Sequence, residues 1–197
     1  MSANVVLYFG GFLSTQKDMD AWVASATKQV GDKFSFEAFH YPTSAKSDDV
    51  SAVKGFGSAK ISELAKRIND DKTHQYVIVG HSSGCAISNA VAEKALGLQG
   101  GKARNFRLVA LDGFRPGKDL FAKMDITCWS AKNGQNKARN WDSMFASPKF
   151  KAYEACNCGS QAWCLHFSLV NKKATDATVQ SISQGYANCE ANLEWLK

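Results

Sequence analysis

Residues 76–84 read Tyr-Val-Ile-Val-Gly-His-Ser-Ser-Gly, and an alanine-rich stretch from Cys85 to Leu98 follows at once. An apolar, β-branched run ending in Gly-x-Ser-x-Gly and passing into a helix leaves the backbone little choice. The turn from strand to helix must be tight, and the residue at its tip is held in a strained conformation with its side chain presented outward. Ser82 occupies the tip, while Gly80 and Gly84 let neighbouring backbone come close. The tip also lies at a helix N-terminus, where free N–H groups and the helix dipole favour a developing negative charge. Bare Gly-x-Ser-x-Gly matches are common; a match framed by strand and helix is far rarer, and the frame points to a nucleophile.

The rest of the chain fits around this element. Val5–Phe9 is a continuous apolar run of the kind buried on both faces of a sheet, and it ends in Gly10-Gly11-Phe12-Leu13. A helix is predicted over 17–30, then an alternating strand over 34–39 that reads as an edge. Residues 43–57 read as a loop, and Ile61, Leu64, Ala65 and Ile68 mark a further helix. Phe106–Leu111 is the strand after the elbow helix, and a fifth lies within 125–130. A helix broken at Pro148 is predicted over 138–156, and a closing helix over 173–196. Strands alternating with helices give βαβ units and a doubly wound, mostly parallel sheet of five to six strands, order 2-1-3-4-5. Ligands of such sheets bind at the carboxyl ends of the strands, beside the switch point between the first and third, where Gly10-Gly11 and Ser82 both fall.

A serine hydroxyl needs a base, and the base needs a carboxylate to fix its tautomer. Among four histidines, His74 precedes the elbow strand, at the wrong end, and His81 lies inside the elbow with its ring expected to turn from Ser82. His40 could approach the crevice, but His166 stands late in the chain, in the order nucleophile, acid, base, and is the expected base. Asp112 ends the strand after the elbow strand and is the expected acid; Asp142 is the rival. The backbone N–H groups of Ser83 and of Gly11 or Phe12 would receive an oxyanion, and Gly10 and His81 are read as substrate contacts.

Gly-His-Ser-Ser-Gly after Val-Ile-Val, Leu-Val-Ala-Leu-Asp-Gly-Phe at 108–114, and His166-Phe167 together resemble the α/β-hydrolase superfamily. Within it the pattern is most similar to the thioesterase domains of polyketide and nonribosomal peptide synthetases and their free-standing relatives. The resemblance implies a serine hydrolase acting on a small-molecule ester or thioester, without a cofactor, through Ser82, Asp112 and His166. Two departures stand out. Only 113–124 separate the acid from the next strand, too few residues for the helical lid of those enzymes, and Cys85 stands where many relatives have glycine. A hydrolase-fold protein that binds without catalysing is the alternative reading.

Composition narrows the setting. The 197 residues suit one domain, and apolar content of 45% with 21% charge is that of a globular protein. The net charge of +6 is spread along the chain without a basic, aromatic-laced stripe, so no nucleic-acid partner is expected. No segment reaches the ~20 apolar residues of a membrane span. The start, Met-Ser-Ala-Asn, lacks the pattern of a signal peptide, which gives the expectation of a cytoplasmic protein. There the six cysteines would be free thiols, with Cys85 and Cys128 as small core residues. Cys156, Cys158, Cys164 and His166 have the soft donors of a zinc site but not its usual spacing, so no metal is expected; a disulfide from Cys156 or Cys158 to Cys164 would order the His166 loop.

Overall fold

The computed structural model describes residues 4–132 and 149–197. Its centre is a six-stranded sheet, every pairing parallel, in the order β2-β1-β3-β4-β5-β6. The strands are β1 (Asn4–Phe9), β2 (Ser35–Phe39), β3 (Gln75–His81), β4 (Phe106–Leu111), β5 (Ile126–Ala131) and β6 (Phe150–Tyr153). Among the described residues the α-helices are α1 (Gln16–Val30), α2 (Asp49–Phe56), α3 (Ser58–Asp70), α4 (Gly84–Leu98) and α5 (Ala162–Ser168).

Side-chain alternation along the strands builds two cores. Val5, Leu7 and Phe9 of β1 point to one face and pack with Ile61, Leu64 and Ile68 of α3 and Ile87 and Val91 of α4. Val6 and Tyr8 point to the other, against Met19 and Trp22 of α1, Phe167 of α5 and Trp195. Covering both faces is what lets the central strands be apolar throughout. β2, at the sheet's edge, is half exposed, as its alternating sequence requires.

Three segments differ from the sequence expectation. Within 43–57, taken as loop, Asp48 caps a helix by accepting from the Ser51 N–H at 2.8 Å, and α2 follows. That helix buries only Ala52, too little apolar signal to announce it. The helix expected over 138–156 falls largely on 133–148, outside the described residues; its end is β6, which pairs Phe150 with Cys128. The sheet therefore has the upper of the two strand numbers expected.

The closing helix over 173–196 does not form. Val179, Tyr186, Leu193 and Trp195 are buried as expected, but the backbone between them is irregular, with short 3-10 turns at Ile182–Gln184 and Glu194–Leu196. Side chains take over the work of helical hydrogen bonds. Buried Asn171 donates to the Gly185 and Ala187 carbonyls and accepts from the Lys173 and Glu190 N–H groups. Asn192 donates to the Ser168 carbonyl, and Trp195 to that of Leu169. A segment whose polar backbone is satisfied this way needs no regular structure to be buried.

Candidate active site

The elbow has the geometry its sequence demands. Ser82 lies at φ 55°, a left-handed conformation costly to any residue with a β-carbon, and its N–H donates to the Leu111 carbonyl at 2.9 Å. A β-carbon on Gly80 would stand 2.5 Å from the Cα of Cys85, and one on Gly84 would stand 2.3 Å from the Phe9 carbonyl oxygen. Both glycines are thus set by the approach of α4 to the strand ends. Ser82 is partly exposed among buried neighbours.

The loop after β1 meets this tip. A β-carbon on Gly11 would be 2.7 Å from Cβ and 3.4 Å from Oγ of Ser82, so the serine side chain lies against the Gly11 backbone. Among the described residues, neither the Phe12 nor the Ser83 N–H donates to an acceptor of the chain, and each belongs to the residue directly after one of this contact, Gly11 and Ser82. The buried Tyr186 hydroxyl lies near the Gly11 backbone. That hydroxyl is 2.6 Å from the hydroxyl of Tyr8, which ties the loop to the floor of the sheet. Gly10 corrects the expectation of a substrate contact: it is buried and its N–H donates to the Phe39 carbonyl at 2.9 Å.

Asp112 follows β4 as Ser82 follows β3, and the register pairs their preceding residues, His81 with Leu111. Like Ser82 it has a positive φ, 49°. A β-carbon on the next residue, Gly113, would be 1.9 Å from the Ser82 carbonyl oxygen, so the two turns are in contact. Asp112 is 1% exposed, and its Oδ2 accepts from Nδ1 of His166 at 2.6 Å. With Nδ1 carrying the proton toward the carboxylate, Nε2 carries the imidazole's basic lone pair.

His166 is delivered by α5. Gln161 caps that helix by accepting from the Cys164 N–H, and a Cys158–Cys164 disulfide staples its first turn to the preceding loop. The disulfide corrects the expectation of free thiols for this pair; Cys85, Cys128, Cys156 and Cys189 are free. Burial pushes the Cys128 and Cys189 thiols up to about 12, and that of Cys85 further, so these three are inert at neutral pH. Cys158, Cys164 and an oxygen of Asp176 lie within 4.8 Å of one another, yet the sulfurs are bonded together and offer no thiolate to a metal. Of the other histidines, His40 sits in the open beside Gln16, and His74 pairs with Asp71 at the amino-terminal end of β3, away from the carboxyl ends of the strands. Asp142 lies outside the described residues.

His81 is a further correction. It has no exposed surface and so is not a substrate contact. Its ring lies 4.5 Å from the His166 ring, and its Nε2 donates to the His166 carbonyl at 3.1 Å. Desolvation, and next the nearby His166, hold its pKa down at about 3. Between an ordinary value of about 6.5 and about 3, the unfolded chain binds a proton there that the folded chain refuses. Stability therefore falls as pH falls through that window, by up to about 1.4 kcal/mol per pH unit. Urea midpoints measured from about pH 7.5 down to about pH 5 are expected to drop, and to drop less steeply in His81→Gln. Equal slopes in the two proteins would contradict this.

The sheet order, the serine-bearing elbow at the carboxyl end of the third strand and the acid one strand along define a minimal α/β-hydrolase fold. Between β4 and β5 there is only a short 3-10 turn, Lys118–Ala122, and no lid. Comparison with solved structures finds similar chains. The RedJ thioesterase of the prodiginine biosynthetic pathway in Streptomyces coelicolor is 14% identical at a TM-score of 0.49, over 78% of this chain and 75% of that one. A hydrolase of the alpha/beta superfamily from Xanthomonas campestris pv. campestris is 13% identical at 0.44, over 77% and 86%. An acetyl xylan esterase is 16% identical at 0.41, over 73% and 93%. No family model and no curated protein matches the sequence. Chemistry has to come from the residues themselves. Among the described residues, no helix is long and apolar enough to cross a membrane.

Proposed function

We propose that the protein is a serine acyl hydrolase that cleaves a small-molecule ester or thioester through an acyl-enzyme. Ser82 attacks the carbonyl carbon while His166 Nε2 takes its proton. The Ser83 and Phe12 N–H groups stabilise the tetrahedral oxyanion, with Gly11 supporting the loop. His166 then returns the proton to the departing alcohol or thiol, and water repeats the cycle on the acyl-enzyme. Asp112 keeps the imidazole in the tautomer this requires. The observation that carries the reading is the 2.6 Å contact between His166 Nδ1 and Asp112 Oδ2, made beside a serine held at φ 55°.

The rim of the site bears on the substrate. Trp163, 38% exposed, stands edge-on to the His166 ring at 5.9 Å, and Leu13, 51% exposed, ends the loop that touches Ser82. Two exposed apolar side chains, one on the loop that touches Ser82 and one against the His166 ring, favour an apolar acyl chain lying across an open crevice. Graded p-nitrophenyl esters and acyl-CoA thioesters test this. In wild type kcat/KM is expected to rise with chain length. Trp163→Ala is expected to lose about tenfold on acyl chains of about six to eight carbons and little on acetyl, since each buried methylene is worth about 0.8 kcal/mol. A loss independent of chain length would remove Trp163 from the acyl site.

A further inference from the structure

The Asp112 carboxylate has two oxygens, and the hydrolase reading uses one. The other, Oδ1, accepts from the Ser130 hydroxyl at 2.8 Å. Ser130 is 2% exposed, near the end of β5, in a strand that otherwise reads Ile-Thr-Cys-Trp-Ala around it. The register puts it there: β5 runs parallel to β4 with Trp129 beside Leu111, and the Asp112 N–H donates to the Trp129 carbonyl at 2.8 Å. Asp112 itself leaves the strand at a positive φ, so its side-chain direction is not fixed by the pleat of the sheet. A hydroxyl from the neighbouring strand on its other oxygen sets the carboxylate plane, and with it the plane of the His166 ring.

From this arrangement we propose that Ser130 is a positioning residue for acyl transfer, acting through Asp112 on His166; the proposal rests on the hydrolase reading given above. The hydroxyl has two effects. It orients the carboxylate, and it draws part of the negative charge away from the imidazole. Removing it loosens the ring and, at the same time, leaves a more basic carboxylate facing Nδ1, which stabilises the imidazolium. Among the described residues, two further titratable groups lie near this pair, His81 beneath the His166 ring and the Cys85 thiol near Asp112. His81 is held neutral with a pKa near 3, and the Cys85 thiol is held protonated, so neither changes charge where His166 works.

The test compares wild type, Ser130→Ala and Ser130→Thr in full-length protein. Ser130→Ala is expected to lower kcat about tenfold with KM unchanged, the loss of one hydrogen bond to a charged group. The acidic limb of its kcat/KM profile is expected to move to higher pH, and Ser130→Thr, which keeps the hydroxyl, to recover most of the rate. A residue that only fills space would change thermal stability without moving the pH profile. Proton NMR reads the same effect without turnover: the His166 Nδ1–H resonance and its titration should shift in Ser130→Ala and return in Ser130→Thr. Unchanged rate, pH profile and Nδ1–H signal in Ser130→Ala would overturn the positioning role, whatever the enzyme's substrate. If the NMR shift occurs while wild type hydrolyses no ester or thioester, the hydrolase reading fails, and with it the acyl-transfer role of Ser130, although the contact stands.

Discussion

Ser82→Ala is expected to lower kcat/KM on an activated ester by about four to six orders of magnitude, with His166→Ala close behind. The size follows from what is lost. Without the hydroxyl no acyl-enzyme can form, and without the imidazole the hydroxyl keeps its proton. The double variant is expected to be little worse than either single one, because the two groups act as a unit. Folding should survive in Ser82→Ala, since alanine bears the same left-handed strain as serine and the elbow's backbone contacts do not use Oγ: the Ser82 N–H still reaches the Leu111 carbonyl. Initial rates on a p-nitrophenyl ester, with a thermal melt as control, check both statements. A variant that hydrolyses the ester as wild type does would mean that position 82 is not the nucleophile.

Asp112→Asn carries the next largest effect, about four orders of magnitude in kcat with little change in KM. The substitution preserves shape. It replaces the acceptor facing Nδ1 with a group that can present N–H there, and the imidazole then favours the tautomer with its proton on Nε2, where the serine proton has to go. Asp142→Asn is expected to stay within a fewfold of wild type. The reverse pattern, with Asp142 essential and Asp112 dispensable, would move the acid to the other residue and break the link between the 2.6 Å contact and turnover.

The strands were legible because their chemistry is simple. In a parallel sheet with helices on both faces the inner strands are apolar throughout, so Val5–Phe9, Tyr76–Val79 and Phe106–Leu111 stand out, and the glycines of the elbow mark where β3 turns into α4. Parallel order then brings the ends of β1, β3 and β4 together, which is why Gly11, Ser82 and Asp112 could be gathered from sequence. His166 could be chosen only by elimination and chain order, yet it is the histidine in contact with Asp112.

What stayed hidden has a common cause: interactions between elements far apart in sequence. The irregular C-terminal segment is held by Asn171, Asn192 and Trp195 hydrogen-bonding to distant carbonyls, and its apolar spacing imitates a helix. β6 is a short, half-exposed Phe-Lys-Ala-Tyr that has meaning only beside β5. His81 looked like a substrate contact from its place in the elbow, and its burial under His166 depends on where α5 lands. Ser130 gave no signal beyond being polar in an apolar strand, a cue worth heeding because a buried hydroxyl needs a partner.

A fluorophosphonate probe provides the most direct measurement, read by mass spectrometry of the intact protein and of its peptides. The account predicts one adduct per chain on the peptide containing Ser82, lost in Ser82→Ala and slowed by orders of magnitude in His166→Ala. A wild-type protein that stays unlabelled, or that takes the probe at another residue, would contradict it and leave a hydrolase fold that binds without catalysing.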